Sequence, residues 1–76
     1  LGRIFVDAYG KTPMTYLTTV RAEHLARLLR ETDLSIEAAM REVGWRSRGH
    51  AARMFRHAVG VTPTRYRLMI RQRAAA

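Results

Sequence analysis

The chain has no cysteine among its 76 residues and a single lysine, Lys11. Without thiols there is no disulfide framework and no thiolate metal site, which fits a reducing compartment and makes the cytoplasm the expected location. No apolar run is long enough to cross a bilayer. The opening stretch LGRIFVDAYG carries acid and glycine where a secretion signal needs uninterrupted apolar residues, so no membrane partner is expected. No glycine-rich phosphate loop, nucleophile elbow or carboxylate dyad occurs, and the six acids suit helix ends and surface pairs. His24, His50 and His57 lack the i, i+4 pairing of zinc-binding helices. The expectation is therefore no metal site, no cofactor and no enzymatic activity.

What the chain does have is positive charge. Fourteen Lys and Arg stand against six Asp and Glu, a formal net charge of +8, while 47% hydrophobic content is that of a chain that folds. A surface of that sign attracts phosphate and releases its counterions, which puts nucleic acid first among partners. Arginine codon bias would explain Arg over Lys but not the net charge. The planar guanidinium also suits bidentate contact with phosphate or guanine.

The stretch AYGKTPMTY near the start returns as AVGVTPTRY near the end. Aligning residues 51–71 with 1–21 gives identities at Arg3/Arg53, Phe5/Phe55, Ala8/Ala58, Gly10/Gly60, Thr12/Thr62, Pro13/Pro63, Tyr16/Tyr66 and Arg21/Arg71. One supersecondary unit therefore occurs twice. In each copy a helix stops at glycine, threonine can cap the next, and proline takes the first helical position, where its missing donor does no harm. Residues 35–50 have no counterpart before the first copy, so the chain is expected to be a piece of a longer protein whose first unit is incomplete.

Helices are predicted over 1–9, 13–31, 35–43, 47–59 and 63–73, an all-α fold. The domain organisation expected is a remnant of a first unit over 1–12, a long linker helix over 13–32, and a second helix-turn-helix with a C-terminal helix over 33–76. In the linker helix Met14, Leu17, Val20, Leu25, Leu28 and Leu29 recur at near-helical spacing. Ser35 is the cap candidate for the next helix and Gly44 its stop. Only Trp45 and Arg46 separate that glycine from Ser47, a second cap candidate, and two helices joined by such a turn form a helix-turn-helix. In the helix after Ser47, Ala51, Met54, Phe55, Ala58 and Val59 form the expected buried stripe, leaving His50, Arg53, Arg56 and His57 outside and Arg46 and Arg48 at the entrance. Trp45, Phe5, Phe55, Tyr16 and Tyr66 read as core and packing residues. A cationic helix start on a second helix suits the major groove of B-DNA better than the narrow groove of RNA.

The runs RAEHLARLLRETDLSI, VGW and RxFRHAVGVTPTRYR resemble the C-terminal DNA-binding domain of the AraC/XylS transcription regulators, over the whole chain. The resemblance implies two homeodomain-like helix-turn-helix units, joined by the long helix, that place recognition helices in successive major grooves. It implies base contacts from Arg48, Gly49, His50, Arg53 and, in the first unit, Arg3. Phosphate contacts fall to Arg46, Ser47, Arg56, Thr62 and Arg65. The expected function is sequence-specific double-stranded DNA binding in transcription regulation, with RNA polymerase a further partner and effector binding or dimerisation left to other parts of the protein. The alternative is a small basic helical adaptor for an acidic protein or RNA. Four positions depart from the family pattern: Ala39-Met40 stands where Ile-Ala is usual, Ala51 where a large apolar residue is common, and Gly49 where a polar one is. Met40 and Trp45 are expected to fill the volume that Ala51 leaves.

Overall fold

The computed structural model describes residues 13–75. They form four helices: α1 Pro13–Glu31, α2 Ile36–Glu42, α3 Arg48–Val59 and α4 Pro63–Ala75. No strand occurs among the described residues. The all-α expectation holds, with the predicted spans differing from these four only at their ends. The helix expected over 1–9, and with it Arg3 and Phe5, lies outside the described residues.

The stops and starts follow from single residues. Ser35 holds an extended backbone and its Oγ accepts from the Ala38 N–H at 3.1 Å, capping α2. At the other end the Trp45 N–H donates to the Met40 carbonyl at 2.9 Å and the Gly44 N–H to that of Arg41 at 3.0 Å. These are the paired bonds of a Schellman turn, which needs a left-handed residue, and Gly44 supplies it with φ of 97°. The turn swings Trp45 back under α2, so a single glycine sets both the helix end and the depth of the indole. Gly60, with φ of 102°, ends α3 in the same left-handed conformation. Thr62 then caps α4, its Oγ1 accepting from the Arg65 N–H at 3.2 Å.

The core lies where the four helices meet. Ala22, Leu25, Ala26 and Leu29 from α1 join Ala39 and Met40 from α2, Val43 and Trp45 from the turn, and Ala51 and Phe55 from α3. Phe55 and Tyr66 meet edge to face, with ring centroids 5.6 Å apart. That arrangement suits aromatic quadrupoles and seats α4 on α3. Arg30 adds a second tie to α4, donating from Nη1 to the Tyr66 hydroxyl at 2.8 Å.

Three expectations about burial need correction. Met14, Leu17 and Val20 are exposed, Met14 by 73%, so the buried face of α1 begins only at Ala22. Tyr16 is exposed as well. Ala58 and Val59 are exposed too, and the buried stripe of α3 reduces to Ala51 and Phe55 with Met54 half-buried. In each case the apolar spacing is genuine, but the neighbouring helix reaches only part of the face: α3 meets the first turns of α1 across an open recess and leaves Met14, Leu17 and Val20 exposed. Periodicity marks a face that can be buried, and only a neighbour buries it.

One arginine belongs to the interior. Arg67 on α4 is 7% exposed. Its Nε donates to the Leu29 carbonyl at 3.5 Å, its Nη2 to that of Thr32 at 3.1 Å, and its Nη1 to that of Leu34. Carbonyls at a helix C-terminus lack intrahelical partners and carry negative partial charge, and a guanidinium answers both needs. Arg67 therefore locks the end of α1, and the loop after it, against α4.

Candidate nucleic-acid interface

The face opposite the Phe55 stripe belongs to α3 and is built from its first turn. Ser47 sits in extended backbone just ahead of the helix and its Oγ accepts from the His50 N–H at 3.3 Å, which fixes where the helix begins. Arg46, Ser47, Arg48, Gly49, His50, Arg53 and Arg56 are all exposed, as the sequence led one to expect. Arg53 reaches back along the helix: its Nη1 lies 3.8 Å from where a Cβ would stand at Gly49. Four of the five residues expected to read bases, Arg48, Gly49, His50 and Arg53, thus share roughly one and a half turns of one helix. His50 also borders an open recess that α3 forms with the start of α1, together with His57, Met54, Met14, Thr15 and Thr18.

Cationic recesses stand at both ends of this face. At the N-terminal end one is lined by Glu37, Met40, Arg41, Trp45, Arg46 and Arg48. At the corner between α3 and α4 another is lined by Arg56, Gly60, Val61, Thr62 and Arg65. The second brings together three of the expected phosphate contacts, although Arg56 and Arg65 come from different helices. Ser47 and Thr62 each use an oxygen lone pair as a cap acceptor, which leaves the hydroxyl hydrogen able to donate to an anion. At ~1.5 Å per residue the 12-residue α3 is about 18 Å long, and one recess lies at its start and the other at its end.

The sequence reading missed two features of the site. Arg41 lines the N-terminal recess with Arg46 and Arg48. Glu37, one of the six acids read as suited to helix ends and surface pairs, bonds to Arg48 across the turn: Arg48 Nη1 donates to Glu37 Oε1 at 2.5 Å. The partners are eleven residues apart on separate helices, beyond the reach of any helical spacing rule. A further signal was there to be read: from Trp45 onward the chain holds eight arginines and no acid. Because Arg67 is committed to carbonyls inside the fold, the charge that a partner meets is that of the other seven. Arg3 lies outside the described residues. Among the described residues no group of three or more His, Cys, Asp or Glu could hold a metal ion, and no helix is long and apolar enough to cross a membrane.

Comparison with known proteins gives a consistent result. A helix-turn-helix domain family matches residues 1–69. The chain is 35% identical over 65 residues to a Haemophilus influenzae protein described as an uncharacterized HTH-type transcriptional regulator, covering 86% of this chain and 22% of that protein. It is 29% identical over 72 residues to the MmsAB operon regulatory protein of Pseudomonas aeruginosa, covering 90% of this chain and 24% of that protein. It therefore spans about a quarter of the length of these curated relatives. A solved structure of a Listeria innocua protein of unknown function superposes with a TM-score of 0.83 at 25% identity, covering 90% of this chain and 65% of that one. Four packed helices, three of them with capped starts, a glycine turn of Schellman type, and a match running from residue 1 to residue 69 agree: the chain belongs to the AraC-type helix-turn-helix family.

Proposed function

We propose that this chain binds double-stranded DNA sequence-specifically in transcription regulation, with α3 in the major groove. The observation that carries the reading is the layout of α3: an exposed first turn bearing Arg48, Gly49, His50 and Arg53, with cationic recesses at both ends. Arg48, His50 and Arg53 read base edges, and the absence of a side chain at Gly49 lets the helix approach the base pairs closely. Arg46, Ser47, Arg56, Thr62 and Arg65 hold phosphates on the two flanking strands, and the capped start of α4 adds backbone amides for one of them. In this reading α1 links the unit to a first helix-turn-helix that ends within residues 1–12 and to which Arg3 contributes. Contact with RNA polymerase, effector binding and dimerisation belong to the complete regulator.

The division of labour is testable with three substitutions, after duplexes bound by the chain have been selected from a random pool. Arg48→Ala and His50→Ala are expected to relax sequence preference, each costing about 1–3 kcal/mol against the selected duplex and little against a scrambled one. Arg46→Ala is expected to weaken both duplexes alike and to reduce the slope of log affinity against log salt by about 0.9. Uniform losses from all three would leave α3 as a general cationic surface, as the adaptor reading requires.

A further inference from the structure

An arginine at the start of a groove-reading helix has two ways to meet DNA. It can present its fork to a guanine, or it can fall onto the nearest phosphate, which carries no sequence information. Arg48 shares its recess with Arg41 and Arg46, two more guanidiniums that compete for the same phosphates, and among the described residues Glu37 is the only acid lining it. Arg41 stands one turn beyond Glu37 on α2, in the favourable i, i+4 orientation for an ion pair. Among the described residues, however, the carboxylate pairs with Arg48 on the other helix. The Ser35 cap fixes the turn of α2 that carries Glu37, and the Ser47 cap fixes the turn of α3 that carries Arg48, so both ends of the pair stand on set backbone.

We propose that Glu37 is a positioning and specificity-determining residue that makes Arg48 a base reader. Its bond to Nη1 fixes the guanidinium plane and occupies one of five N–H donors, which leaves an edge free for two parallel bonds to a guanine. Its negative charge repels the DNA backbone from Arg48, so that phosphate contact in this recess falls to Arg41 and Arg46. Specificity of this kind comes from a repulsive element that penalises the wrong arrangement more than the right one. The inference rests on the base-reading role proposed above for Arg48.

The test measures affinity for a selected duplex and its scrambled counterpart across a salt series, using the whole chain and its Glu37→Ala, Glu37→Gln and Arg48→Ala variants. Both side chains of the pair are more than half exposed, so the variants are expected to fold, with melting curves as the check. In Glu37→Ala the ratio of selected to scrambled affinity should fall about tenfold, the scale of one good base contact, mainly through tighter binding of the scrambled duplex. Its salt slope on that duplex should steepen by about 0.9 as Arg48 gains a phosphate. Glu37→Gln keeps an acceptor for Nη1 but removes the repelling charge, so its ratio should fall between those of the parent and Glu37→Ala. In the Arg48→Ala background, Glu37→Ala should no longer change the ratio. An unchanged ratio in Glu37→Ala, equal losses in the Ala and Gln variants, or the same effect with Arg48 absent would each overturn the positioning role. If Arg48→Ala by itself leaves the ratio intact while the parent still discriminates, the fault lies instead with Arg48 as a reader. A parent that does not discriminate would remove the proposed function itself.

Discussion

Arg67→Met should lower stability by about 3 kcal/mol, moving the melting midpoint of so small a domain down by about 12–24 °C. Methionine keeps the aliphatic stem and its packing but takes all donors away. The carbonyls of Leu29, Thr32 and Leu34 then lose the guanidinium that satisfies them, and the end of α1 is no longer tied to α4. A hydrogen bond to a charged group is worth ~1.5–3 kcal/mol, and the 3.5 Å contact to Leu29 counts for less than the other two. Against a total stability of about 4–11 kcal/mol for a chain of this length, such a loss removes roughly a quarter or more of the whole. Arg65→Met is the control. That side chain lies two residues away in the same PTRYR run but is exposed, and its loss should leave the midpoint nearly unchanged. Thermal melts of the two variants decide the matter, and equal small shifts would mean that Arg67 is one more surface cation.

The second large effect concerns volume. Met40 is 3% exposed, Trp45 4% and Ala51 0%, and all three belong to one buried cluster. Met40→Ala removes most of a buried side chain at the turn that positions Trp45, and it is expected to cost about 2–5 kcal/mol in a urea melt. If Met40 fills space that a larger residue at position 51 would otherwise take, the double variant Met40→Ala/Ala51→Leu should recover part of the loss. A melting shift near zero for Met40→Ala, or a double variant worse than the sum of the singles, would reject that exchange. Met40→Leu conserves volume and should cost less than about 1.5 kcal/mol.

The contrast between Arg67 and Arg48 shows what a sequence discloses. Helix ends were legible because single residues determine them: Ser35 and Ser47 cap, Pro63 opens a helix, and Gly44 and Gly60 take the left-handed conformation that stops one. The exposed first turn of α3 was legible too, since its polar face follows from the burial of Ala51 and Phe55 one helical period away. Which arginine turns inward was not legible. Arg65 and Arg67 are the same residue type in one motif, and only the approach of α4 to the end of α1 separates an exposed cation from an interior one. Ala58 and Val59 mark the converse error, because apolar spacing cannot say where a neighbouring helix stops. The Glu37–Arg48 pair depends on the crossing of α2 and α3, which no local pattern encodes.

In the proposed function the first turn of α3 reads the sequence of B-form DNA. The most direct test of that reading is a titration of the chain against the selected duplex, a scrambled duplex and a double-stranded RNA of the same sequence over a range of salt. The selected duplex is expected to bind about three orders of magnitude more tightly than either of the others. The slope of log affinity against log salt should be near −0.9 for each phosphate held, or about −3.6 if Arg41, Arg46, Arg56 and Arg65 each hold one. Equal affinity for all three nucleic acids at every salt concentration would contradict that reading.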